Sequence, residues 1–127
     1  MTFKLTYSTM FDPPEEMHAR FEAALAEVRA ELGATRAMHI DGADEAGRPL
    51  AEHRSPVDRR LVLGRSPRGE AADAERAVAA AKRAFPPWRA TPAAERLALV
   101  RRAAALIEER VYRIGAALAL EVGKNRM

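Results

Sequence analysis

Residues 73–85 read DAERAVAAAKRAF, and residues 91–122 read TPAAERLALVRRAAALIEERVYRIGAALALEV. Both are alanine-rich with apolar residues at three- and four-residue spacing, so both read as helices. In the first, Ala74, Ala77, Val78, Ala81 and Phe85 share one face, and Pro86-Pro87 is expected to end the helix. Thr91 is expected to cap a second helix with Pro92 at its first position. There Leu97, Val100, Ala104, Ile107 and Val111 line one side, while Leu99, Ala103 and Leu106 add another. A stripe that wide implies burial on more than one side. Ile114, Leu118 and Val122 continue the pattern after an expected kink near residues 110–113, and Gly123 is a natural stop.

Upstream, residues 1–12 read as an irregular lead-in. Asp12 before Pro13-Pro14, with Glu15 and Glu16 following, predicts an N-cap and acids near the positive end of a helix. Met17, Phe21, Leu25, Val28 and Leu32 share a face, so the helix is expected over 13–32 with Gly33 as its C-cap. Between the helical regions, residues 37–40 read as a short strand closed by the turn dipeptide Asp41-Gly42. A polar loop through Asp44, Glu45 and Gly47 is expected next. Strands are then expected over 49–54, ended by Ser55-Pro56, and over 60–64. A single short hairpin is marginal in water, so these strands need something to pack on.

Composition bounds what the chain does. It has 127 residues, 48% apolar and 31% charged, which fits a soluble globular sequence. Much of the apolar share is alanine, and there are only one Trp, two Tyr and four Phe. Alanine favours helix but buries little area, so the core is thin and the helices call for a partner surface. Net charge is +3, with residues 1–36 at −2 and the remainder at +5. The cations Arg48, Arg54, Arg59, Arg60, Arg65 and Arg68 lack interleaved aromatics to stack bases. A solvated or interface surface is expected there, not a nucleic-acid site. No apolar run approaches the roughly 20 residues of a membrane span, and the start lacks a signal-peptide pattern.

The chemistry-bearing residues form no catalytic pattern. There is no cysteine, which excludes a disulfide, Cys-ligated zinc and a cysteine nucleophile within the stretch. Gly123-Lys124 lacks the rest of a phosphate loop, because Leu118 and Asn125 stand where Gly and Ser or Thr are needed. His18, His39 and His53 have no metal-site spacing. Ser8, Ser55 and Ser66 sit in loop-like contexts, and Ser55-Pro56 and Ser66-Pro67 read as turn punctuation. Asp73, Glu75, Glu95, Glu108, Glu109 and Glu121 stand among arginines at helical spacing, which predicts weak surface ion pairs. Glu121 is the exception, expected to cap or pair at a buried helix end.

Five stretches in order over residues 38–125 resemble the start of the aldehyde dehydrogenase superfamily. They are His39-Ile40-Asp41-Gly42; Ser55-Pro56-Val57-Asp58 with Leu61-Val62-Leu63-Gly64; and Asp73-Ala74 with Ala77-Val78, Ala80-Ala81, Ala84-Phe85 and Trp88. Then come Glu95-Arg96, Leu99, Arg102-Ala103-Ala104-Ala105-Leu106 and Glu109-Arg110, and finally Glu121-Val122-Gly123-Lys124-Asn125. The long first helix, the run from Ser55 to Arg60 and the EVGKN ending look most like the 1-pyrroline-5-carboxylate (L-glutamate γ-semialdehyde) dehydrogenase branch.

The resemblance implies an α/β fold with a Rossmann-like NAD-binding domain, of which this segment is the mostly helical part with a short β-hairpin. It implies a helical segment over 1–36, short strands over 37–66, and helices of an incomplete NAD-binding domain over 67–127. By family, a cysteine thiolate attacks the aldehyde, hydride passes to NAD, and a glutamate-activated water releases the acid. Those groups and the main dinucleotide contacts lie beyond the matched stretch, so none of these residues is expected to be catalytic, to hold NAD or to ligate a metal. The chain alone is then expected to be inactive. The expected partner is the remainder of a cytoplasmic, homo-oligomeric dehydrogenase, with no nucleic acid and no membrane. The rival reading is a small helical interaction module built on the same scaffold.

Overall fold

The computed structural model describes residues 11–45 and 48–126. The expected lead-in falls mostly outside that range, as does Gly47. The described residues form four helices, α1 (Glu15–Ala30), α2 (Ala71–Ala90), α3 (Ala93–Glu109) and α4 (Val111–Val122), and two antiparallel strand pairs. β1 (Met38–Ile40) pairs with β2 (Ala43–Glu45), and β3 (Leu50–Arg54) pairs with β4 (Val62–Pro67).

The first helix lies inside its expected bounds, but Asp12 does not cap it. Pro14 is the N-cap residue, without a side-chain cap, and its carbonyl accepts from Met17 N–H at 2.9 Å. Met17, Phe21 and Ala24 are buried along one face. Phe21 and Ala24 meet Ala116 of α4, which is fully buried, with Leu25, Val28, Tyr112 and Ala119 packed around them. Arginines fasten the rim of this contact. Arg113 reaches Glu31 at 2.5 Å, and Arg126 reaches Glu22 at 2.7 Å while lying 5.1 Å from the centre of the Phe21 ring.

After Gly33, which takes φ +83°, the chain runs beside β4. Arg36 N–H donates to Arg65 O at 2.8 Å, and Arg65 N–H to Ala34 O at 2.9 Å. A β-carbon at Gly64 would sit 3.0 Å from Ala34 O, so the close approach of the two backbones favours glycine there. In the first hairpin both Asp41 (φ +56°) and Gly42 (φ +79°) are left-handed, the type I′ geometry that suits the strand twist. The residues expected as a polar loop therefore form β2, because the tight turn places Ala43–Glu45 directly against Met38–Ile40. The last strand runs to Pro67, three residues past its expected end, because Leu50 and Ala51 of β3 pair with Pro67 and Ser66.

Two proline expectations are corrected. α2 continues through Pro86 and Pro87 for a further turn to Ala90. Two prolines cost two helical N–H groups, but this end of α2 is exposed, so solvent can reach the carbonyls left without donors. Thr91 does not cap α3: its hydroxyl donates to Pro87 O at 3.0 Å, closing the end of α2. The residue preceding α3 is Pro92, again without a side-chain cap. The expected kink is present, since Arg110 (φ −103°, ψ 14°) separates α3 from α4. Gly123 ends α4 in the left-handed conformation, as expected.

Ser55 is more than turn punctuation. It is 1% exposed, its hydroxyl donates to Leu120 O at 2.5 Å, and it accepts from Val57 N–H at 3.2 Å. One side chain thereby ties the β3–β4 connection to the last turn of α4. Ser55→Ala leaves Val57 N–H without this acceptor and should destabilise the fold by about 1–3 kcal/mol, read as a lower urea midpoint at unchanged slope. An unaltered midpoint refutes the latch.

Candidate functional site

α2 is positioned by charge more than by apolar contact. Asp73, expected among weak surface pairs, is instead 4% exposed. Its carboxylate accepts from the Glu70 backbone N–H at 2.8 Å and forms half of a capping box with Glu70. It also receives Arg48 at 2.6 Å and Arg76 at 2.8 Å. Arg76 in turn grips Glu45 of β2 through two bonds of 2.6 Å. Arg83 of α2 reaches Asp41 in the first hairpin at 2.7 Å. The hairpin and the first three turns of α2 are thus joined by a fork of arginines.

The Glu70 amide, then Arg76, hold the Asp73 carboxyl below the usual carboxylate range. Glu45 is lowered mainly by its bond to Arg76, and Glu31 mainly by its bond to Arg113. These anions are more favourable in the folded chain than in the unfolded one.

The basic stretch is largely consumed by the protein itself. Arg48 serves Asp73 and Glu70, Arg54 and Arg65 serve Glu52, and Arg60 serves Asp58. The histidines remain dispersed. His18 accepts from Arg126, His39 pairs with Asp44, and His53 Nε2 lies 2.6 Å from Ser66 Oγ. The His53–Ser66 pair sits beside a cleft of about 410 Å³ between α1, β4 and α4, which Arg36 and Glu121 also line. Among the described residues no third group is placed to orient His53, so there the pair lacks the arrangement of an activated nucleophile. Glu121, expected to cap or pair, is exposed at this cleft. Among the described residues no cluster of His, Cys, Asp or Glu is placed to hold a metal ion, and no helix is long and apolar enough to cross a membrane.

The dominant surface feature is apolar. Val78, Phe85, Trp88, Leu97, Val100 and Ile107 are each 42–60% exposed, and α3 has no buried residue. The chain exposes 9845 Å². A folded monomer of its mass exposes about 6,700 Å². The excess is larger than a standard protein interface takes from one partner, about 800 Å².

Because the Asp73 carboxyl is lowered on folding, it contributes stability at pH above the ordinary carboxylate range, and that contribution is lost as pH falls through its folded value. Asp73→Asn should lower the melting temperature at pH 7 and flatten the loss of stability below pH about 4. Melting curves that fall in parallel for both proteins across this range contradict the assignment.

The aldehyde dehydrogenase family profile matches residues 43–127. The chain is 36% identical over 104 residues to 1-pyrroline-5-carboxylate dehydrogenase 2 of Bacillus subtilis, covering 82% of this chain and 20% of that protein. It is 45% identical over 89 residues to N-succinylglutamate 5-semialdehyde dehydrogenase of Burkholderia lata, covering 68% of this chain and 18% of that one. Its structure superposes on a variant of 1-pyrroline-5-carboxylate dehydrogenase from Thermus thermophilus with a TM-score of 0.86 and 31% identity, over 99% of this chain and 25% of that one. The chain thus spans about a fifth to a quarter of the length of these relatives. On this match in sequence and fold, the chain belongs to the aldehyde dehydrogenase family.

Proposed function

We propose that the chain is the N-terminal part of an NAD-dependent aldehyde dehydrogenase that oxidises L-glutamate γ-semialdehyde, the open form of 1-pyrroline-5-carboxylate, to glutamate. In this reading residues 1–36, 37–66 and 67–127 are three consecutive parts of one incomplete NAD-binding domain. The observation that carries it is the row of exposed large apolar side chains on α2, α3 and α4, on a backbone that superposes on a quarter of a larger enzyme. Helices with bare apolar faces are built to lie against further structure.

The choice of substrate branch rests on coverage. The 1-pyrroline-5-carboxylate dehydrogenases of Bacillus match 82% and 87% of the chain. The N-succinylglutamate semialdehyde and lactaldehyde enzymes match 68% and 50%. One structural neighbour from Thermus is described with bound NAD. In this chain the role of the residues is architectural. Phe21 and Ala116 fasten α1 to α4, Ser55 fastens the second hairpin to α4, and Asp73 with Arg76 fastens α2 to the first hairpin. With no cysteine in the sequence, these 127 residues supply no thiolate for attack on an aldehyde.

Two measurements test this. The purified 127-residue chain, mixed with NAD and the semialdehyde, should produce no NADH above the blank; turnover overturns the architectural reading. A chimera in which residues 1–127 replace the matching quarter of the Thermus enzyme should retain NAD-dependent oxidation of 1-pyrroline-5-carboxylate. A folded but inactive chimera counts against it. A chain that stays monomeric and binds no hydrophobic dye favours the interaction-module reading instead.

A further inference from the structure

Leu97, Val100, Ala104, Ile107, Val111, Ile114 and Leu118 follow one another at alternating spacings of three and four residues. All seven are exposed, and the pattern passes through the break at Arg110 without losing register. Across that break Leu106, Ile107, Arg110, Arg113, Ile114 and Ala117 line a shallow groove of about 330 Å³, which places Ile107 of α3 and Ile114 of α4 on one surface. An alternation averaging 3.5 residues is the spacing that keeps one row of side chains along a neighbouring helix. The row is flanked by Arg96, Arg101, Ala103, Glu108, Arg110, Gly115 and Ala117, so its charge is mainly positive and its lower half is lined by small residues. Arg101 and Arg110 make no ion pair among the described residues.

α4 already shows the kind of cover it accepts. Its opposite face, with Tyr112, Ala116 and Ala119, carries α1, an amphipathic helix whose Glu27 and Glu31 answer Arg113 at 3.9 and 2.5 Å. We propose that the Leu97–Leu118 seam is the docking surface for a second amphipathic helix of the same chemistry, with an apolar 3–4 repeat toward the seam and carboxylates along both edges. The proposal deepens the reading above, on which it rests, by naming what lies over one of the open faces. Two copies of this seam would bring arginine rims together, which disfavours self-pairing.

The probe is a synthetic peptide of about three heptads with leucine at the seam positions and glutamate at the flanks. A second peptide carries lysine at the flanks. Each is titrated against the full 127-residue chain by fluorescence anisotropy. The acidic peptide should bind about tenfold more tightly than the lysine peptide, and the difference should shrink with added salt. Ile107→Asp should abolish binding, and Arg101→Glu with Arg110→Glu should invert the preference. All three side chains are exposed, and unchanged far-ultraviolet circular dichroism verifies that the variants fold. Equal binding of both peptides, or none of the acidic one to a chain with native helix content, overturns the proposal. So does self-association in sedimentation that Ile107→Asp removes, since the occupant is then a second copy. An active chimera together with a failed peptide titration sinks this inference and leaves the family reading standing.

Discussion

The packing of Phe21 and Ala24 on Ala116 is the contact on which the other arrangements depend. It brings the first helix and the last helix together, although some ninety residues separate them in the chain. The small residues Gly115 and Ala116 permit it, because they leave room for the ring of Phe21 against α4. With α1 and α4 side by side, the end of α4 becomes a fixed platform. Ser55 then binds to Leu120 O, and the β3–β4 hairpin is placed between that platform and residues 33–36.

Charge does the rest of the positioning, and it does so at different depths. The rim pairs of α1 with Arg113 and Arg126 are exposed, and pairs of this kind stabilise little but orient well. Asp73 is different, since it is buried with a backbone donor and two guanidinium groups around it. A carboxylate so enclosed is tolerable only when each of its oxygens is met, and here they are. This network compensates for the poverty of apolar contact between α2 and the first hairpin, where Ala80 is the one buried hydrophobic residue of the helix.

The result is a structure of uneven solidity. α1 and α4 share a small buried contact, and the second hairpin is tied to α4 through Ser55. α3 contributes nothing to any interior among the described residues and carries its apolar residues outward. Such a distribution is expected of part of a larger α/β fold, where helices lie between a sheet and their neighbours. The chain's described residues supply supports and surfaces, and the sequence contains no cysteine.

The sequence by itself determined the order and type of nearly every element, the Asp41-Gly42 turn, the break near Arg110, the Gly123 terminus and the resemblance to aldehyde dehydrogenases. Those features follow from periodicity, turn chemistry and motif order, all of which are local. The absence of cysteine, and the thin core of alanine-rich helices, were legible in composition. Only the tertiary structure decided which side chains matter most. Ser55 and Asp73 looked like loop and surface residues, because nothing near them in sequence reveals that Leu120 O or Arg48 will lie against them. The course of α2 through Pro86-Pro87 was likewise set by its exposure to solvent, and the pairing of β2 by a neighbouring strand. A proline run stops a helix only if the lost donors cannot be replaced, and three residues become a strand only when another strand lies beside them.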